Sequence, residues 1–141
     1  MKKIIYVIAL ATLVILTLTG CMTSQKHEWK PIRQPNTKWV SEDETIAFYV
    51  GNNLDIFGTI NVDGELIDVY IAFGAERDTS MYIYPASAVD LEKNLVYDYL
   101  KYGYWSCDFK SESEFVATVR DFPFFEKGDE FIIHRVDEEE E

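Results

Sequence analysis

The chain of 141 residues carries 13 basic and 25 acidic side chains, a formal net charge of −12 at pH 7. Phosphate recognition needs a basic face, so the composition argues for no nucleic-acid partner. Two histidines and two cysteines are present, and no zinc-ligand spacing, phosphate loop or dinucleotide glycine motif occurs.

Lys2 and Lys3 precede an apolar run, Ile4 to Leu18, in which only Thr12 and Thr17 are polar. A charged start, a short apolar stretch and small residues at its close are the layout of a secretory signal. At about 15 residues the run falls short of the roughly 20 that a helix needs to cross a bilayer core. Leu18-Thr19-Gly20-Cys21 resembles the lipobox of bacterial lipoproteins. That resemblance covers residues 1–21 and implies that residues 1–20 are removed and Cys21 is diacylated on its sulfur. It further implies a protein anchored in the cell membrane on its extracytoplasmic face, with the lipid bilayer as a partner. Two acyl chains hold far better than one, since each buried methylene contributes about 0.8 kcal/mol. With Cys21 acylated, Cys107 is the one thiol left, so no internal disulfide forms and packing alone must hold the fold. Taking Lys2 and Lys3 from the 13 basic residues leaves 11 against 25 acidic ones, or −14 for the mature chain.

Residues 21–38 read as a polar tether, with Pro31 and Pro35 and no apolar periodicity. Its upper reach is about 60 Å at ~3.5 Å per residue. Lys26, Lys30, Arg33 and Lys38 face only Glu28 there. Basic side chains beside a lipid anchor either attract anionic headgroups, at about 1 kcal/mol each, or simply solvate the tether. Trp29 and Ile32 dock on the domain or sit at the lipid interface.

From residue 39 to 137 the pattern is β. Ile46, Phe48 and Val50 alternate with Ala47 and Tyr49, the period expected of a half-buried strand. Asp63-Gly64 between two alternating runs reads as a two-residue hairpin in a type I′ turn. That turn sets Val62 against Glu65, Ile60 against Ile67, Gly58 against Val69 and Ile56 against Ile71, one nearly all-apolar face. Gly74 to Asp78 forms the next turn and places Thr79 opposite Phe73. Ser87 to Asn94 reads as a short helical turn, with Ser87 and Asp90 spaced as a capping box. Leu95 to Leu100 and Tyr104 to Lys110 read as strands, bent at Gly103. Phe115, Ala117 and Val119 form another alternating run, Phe131 to Val136 a last strand, and residues 138–141 an acidic tail. Seven or eight short strands joined by tight turns predict an all-β fold, an antiparallel barrel or sandwich. Strand count and Trp39 near the start resemble lipocalin-like small β-barrels. The lipocalin Gly-x-Trp tripeptide stands here as Gly103-Tyr104-Trp105, in the second half of the chain, and no ligand is carried over.

Chemistry-bearing residues are few. His27 lies in the tether, where nothing holds it in geometry, and His134 sits between Ile133 and Arg135 on the last strand. Cys107 shares a face with Trp105 and Phe109, the setting of a buried, inert thiol. Reading Asn61 to Glu65 as a calcium loop puts Thr59 at its first position and Tyr70 at its twelfth, where a bidentate glutamate is required. No catalytic residue, metal or cofactor is expected.

One constellation remains. The two turn registers set Phe57 opposite Tyr70, Tyr82 opposite Tyr70, and Tyr84 opposite Asp68, on the face away from Ile60, Ile67 and Val69. Phe57, Tyr70, Tyr82, Tyr84 and Asp68 are the candidate binding face. An exposed aromatic row stacks on sugar rings or anchors a protein partner; a covered one stabilises the sheet. The function expected is a membrane-tethered β module that is not an enzyme and binds a protein or envelope glycan through a sheet face. A small carboxylate-based hydrolase and a purely structural envelope lipoprotein are the alternatives.

Overall fold

The computed structural model describes residues 28–74 and 79–137. The signal segment with Cys21, most of the turn after Gly74 and the acidic tail lie outside the described residues. Ten strands follow in order: β1 Thr37–Ser41, β2 Ile46–Val50, β3 Ile56–Val62, β4 Glu65–Phe73, β5 Ser80–Pro85, β6 Val89–Asp90, β7 Leu95–Val96, β8 Gly103–Ser111, β9 Glu114–Asp121 and β10 Glu130–Val136. Eight of them close into one antiparallel barrel in the order β1-β10-β9-β8-β5-β4-β3-β2, and β6 and β7 form a separate hairpin. The protein is therefore all-β and a closed barrel, one of the two architectures that the strand pattern allows. Closure leaves the barrel sheet itself no unpaired edge for another chain to add to.

Period-two patterning explains which face is inside. Ile46, Phe48 and Val50 of β2 are buried, as are Trp105, Cys107 and Phe109 of β8 and Phe115, Ala117 and Val119 of β9. With Trp39, Ile60, Val69, Met81, Ile83, Phe131 and Ile133 they form one continuous core. Each fully buried aliphatic or phenyl side chain contributes about 1.5–3 kcal/mol. The predicted parity of Cys107 with Trp105 and Phe109 is correct, and the thiol is 4% exposed. Gly58 faces Phe48 across β2–β3, and a Cβ there would lie 2.6 Å from the Phe48 Cβ. Glycine is what lets that ring fill the barrel.

The Asp63-Gly64 hairpin has the expected register, from Val62 opposite Glu65 to Phe57 opposite Tyr70. Asp63 and Gly64 take φ of 51° and 89°, the paired positive values of a type I′ turn. The Gly64 amide also donates to Asn61 Oδ1 at 2.9 Å.

The next turn differs. Phe73 pairs with Met81 and Tyr70 with Tyr84, two residues away from the predicted pairing of Phe73 with Thr79 and Tyr70 with Tyr82. The Gly74 amide closes the turn on the Ser80 carbonyl. A slip of two keeps every side chain on its predicted face, because the strand period is two. The helical turn expected over residues 87–94 is confined to a 3-10 turn at Ala86–Ala88, which leads into β6, and β7 returns beside it. The expected strand from Leu95 to Leu100 is only Leu95–Val96, followed by a 3-10 turn at Asp98–Leu100.

The barrel has two dissimilar ends. At the first, the chain enters β1, the 51–55 loop and the Glu112–Ser113 turn lie, and β10 ends. At the second are the 42–45 turn, the Asp63-Gly64 turn, the 122–129 loop and the 86–102 connection from β5 to β8. The first end is not met by a free tether. Residues 28–36 form a strap with a 3-10 turn at Pro31–Arg33, in which Lys30 and Pro31 are buried and Trp29 and Ile32 pack against the core. Of the two placements open to Trp29 and Ile32, the structure has the docked one. The second end is plugged by aromatic rings: Trp105 stacks on Phe131 at 5.1 Å and meets Phe122 edge-on at 5.3 Å. Trp105 Nε1 is buried there with no hydrogen-bond partner among the described residues.

Candidate functional site

A core filled by Trp39, Trp105, Phe48, Phe109, Phe115 and Phe131 turns attention to the outer wall. Tyr49, Phe57, Tyr70 and Tyr84 are successive register partners on β2, β3, β4 and β5, so they stand in one row across four strands. Strands favour aromatic side chains, and cross-strand pairs of this kind contribute about 0.2–1 kcal/mol each. The Phe57 and Tyr70 rings are 5.1 Å apart and tilted by 58°, and those of Tyr70 and Tyr84 are 6.2 Å apart and tilted by 51°. Ala47 opposite Thr59 flanks the row on one side, and Ala72 opposite Tyr82 on the other.

Cover along the row is graded. Tyr49 is 44% exposed and Tyr84 only 8%, with Phe57 and Tyr70 half-buried between them. The Tyr84 hydroxyl donates to Asp98 Oδ1 at 3.2 Å, tying the row to the Asp98–Leu100 turn. Burial raises the Tyr84 phenol above its ordinary value of 10.0, and the Asp98 charge adds to the rise. Burial likewise raises Tyr70, helped by the charge of Asp55. At the other end, the Tyr49 hydroxyl donates to Asn36 Oδ1 at 3.3 Å.

Of the five residues expected in the face, Phe57 and Tyr70 are neighbours as anticipated. Tyr82 is not beside Tyr70; it pairs with Ala72 and Tyr104, with the Tyr104 ring at 5.9 Å and Lys101 Nζ 5.4 Å from its own ring centre. Tyr84 takes its place. Asp68 is exposed on the same wall but faces Thr59, not Tyr84. Tyr49 was missed, although its alternation with Phe48 and Val50 already put it outside. The absent signal was a turn between β2 and β3 chemically specific enough to set their register.

The other reactive side chains do not converge. His134 Nε2 lies 3.0 Å from Glu42 Oε1 and Nδ1 3.4 Å from Glu114 Oε2. The two ring nitrogens therefore serve carboxylates in opposite directions, outside the wall that encloses Cys107. Among the described residues no group of three or more His, Cys, Asp and Glu side chains is placed to hold a metal ion. An outer groove of about 590 Å³ is lined by Ser106, Asp108, Lys110, Thr118, Arg120 and Glu130. Its cations are engaged locally, Lys110 with Asp108 and Arg120 Nε with Ser106 Oγ at 2.8 Å. No protein-family model matches the chain, and no curated protein or solved structure matches it significantly.

Proposed function

We propose that this protein is a lipid-anchored β module of the cell envelope that is not an enzyme and binds a protein or envelope glycan through its outer aromatic row. The single observation that carries the reading is the continuous row of Tyr49, Phe57 and Tyr70 on a wall whose interior side is solid core. The barrel's strands run up and down around a filled interior, which favours binding at the surface over binding in a lumen. A glycan is the better fit of the two partners. Ring faces stack on sugars, and Asn36, whose Oδ1 meets the Tyr49 hydroxyl, adds an acceptor for sugar hydroxyls. Anchoring rests on Leu18-Thr19-Gly20-Cys21 behind a short apolar run.

The test is capture by the chain beginning at residue 22, from envelope extract and on a panel of envelope glycans, beside a Tyr49→Ser/Phe57→Ser variant. A glycan held by the parent and lost by the variant is the expected result. Equal capture by both removes the row from the function.

A further inference from the structure

The strap is held on the first end of the barrel by polar contacts that converge on one residue. Gln34 Nε2 donates to the Trp29 carbonyl at 2.7 Å and to the Glu112 carbonyl at 2.8 Å. Arg135 Nη1 donates to Gln34 Oε1 at 2.9 Å, and the Thr37 hydroxyl donates to the Gln34 carbonyl at 2.6 Å. Gln34 thus joins the strap to itself, to the β8–β9 turn and to the end of β10. With Trp29 and Ile32 packed on the core, Glu28 is tied to the barrel rather than adrift on a long tether.

Chain length then limits where a bilayer can lie. Seven residues lead from Cys21 to Glu28, and at ~3.5 Å each they reach about 25 Å at most. Without the strap, sixteen residues would lead from Cys21 to Thr37 and reach about 56 Å. Strands such as β3 and β8, tilted by about 40° at ~3.3 Å per residue, give the wall a height of roughly 20 Å. Turning the second end towards the bilayer would spend most of the short reach on passing the wall.

We propose that the strap end of the barrel faces the lipid bilayer, and that strap docking on Gln34 sets how far the barrel stands from it; the inference rests on acylation of Cys21. Arg33 and Lys38 are exposed at this end and favour anionic headgroups, at about 1 kcal/mol each near the surface. Asp137 leaves from the same end, and the four glutamates after it oppose flat seating. Tether reach is left as the control on distance. The second end, with exposed Leu91, Leu95 and Tyr99, then points away from the membrane.

The experiment uses the processed full chain in phosphatidylglycerol–phosphatidylethanolamine vesicles that carry a headgroup energy acceptor. Donor dyes sit on Glu112→Cys at the strap end and on Leu66→Cys beside the second end; Cys107, being buried, labels slowly. Transfer from residue 112 should exceed that from residue 66 several-fold. Gln34→Ala, or independently Trp29→Ala, should lower transfer from residue 112 while the barrel's melting curve keeps a single cooperative transition. Mass spectrometry of the same vesicle-bound protein separates the two possible failures. A chain without acyl groups overturns the anchor reading and this proposal with it. An acylated chain with equal transfer from both sites, or with none of the strap variants changing it, overturns this proposal alone.

Discussion

The two ends of the aromatic row carry the same residue type on the same face of the wall, yet one belongs to the surface and the other to a small second core. At Tyr49 the row is bare, because β2 and β3 are joined by the short 51–55 loop and no described residue folds back over them. At Tyr84 the 86–102 connection crosses outside the wall: its Ala86–Ala88 turn touches β4 and β5, and its Asp98–Leu100 turn touches β5. Ala88 is fully buried beneath it. Connection length, rather than residue type, decides whether an outward tyrosine packs or binds. If that is right, substitutions along the row should pass from stability effects at β5 to affinity effects at β2.

The largest effect is expected at Tyr84. Truncating a buried aromatic side chain costs about 3–5 kcal/mol, and Tyr84→Ser also removes the hydroxyl contact to Asp98. Tyr84→Phe keeps the ring and loses only the hydroxyl contact, about 1 kcal/mol. Chemical denaturation of both variants reads the difference. A Tyr84→Ser midpoint equal to the parent's would mean that the connection does not cover the wall.

Next is the turn that aligns the row. Gly64 has a φ of 89°, a region that suits β-branched residues poorly. Gly64→Val should therefore destabilise the domain by more than about 1 kcal/mol. It should also weaken binding, since the β3–β4 register sets Phe57 against Tyr70. A variant with unchanged melting would show that the turn tolerates another conformation and does not hold the register.

How far the row was legible follows from the same turns. Asp63-Gly64 has a demanding chemistry, and it specified the β3–β4 register pair by pair. Gly74 to Asp78 has no dipeptide of that kind, so alternation alone was available. Alternation set the faces of Tyr82 and Tyr84 and left their position along β4 open by two residues. The capping box at Ser87 and Asp90 misled for a related reason: Asp90 Oδ1 accepts from the Lys93 amide at 3.1 Å, which closes a hairpin turn instead of opening a helix. The strap was illegible because its order comes from Gln34 meeting Glu112 and Arg135, contacts 78 and 101 residues away. No local pattern records those. The anchor at Cys21 is the converse, a motif legible in sequence and outside the described fold.

Alkaline pH should act on the covered part of the row. The phenols of Tyr70 and Tyr84 are raised above 10.0 in the fold, chiefly by burial. Their unfolded counterparts release protons first. The stability linked to them is thus fully present below about pH 10 and is lost as pH climbs through the higher folded values. Denaturation midpoints should fall above pH 10, and the fall should be shallower in Tyr84→Phe. An identical pH profile for parent and Tyr84→Phe would mean that Tyr84 is not shielded.

The smallest change in stability is expected at the bare end. Tyr49 is 44% exposed and its hydroxyl's hydrogen bond to Asn36 is long at 3.3 Å. Substitutions at such sites usually stay within about 0.5 kcal/mol, so Tyr49→Ser should melt almost as the parent does. Its effect belongs to binding, where loss of an exposed aromatic anchor costs on the order of 1–2 kcal/mol, a drop in affinity of roughly tenfold. The pair of measurements decides what this end of the row is for. Unchanged melting with weakened capture assigns it to a partner. Weakened melting with unchanged capture makes Tyr49 a strut for the strap through Asn36, and the gradient from packing to binding along the row disappears.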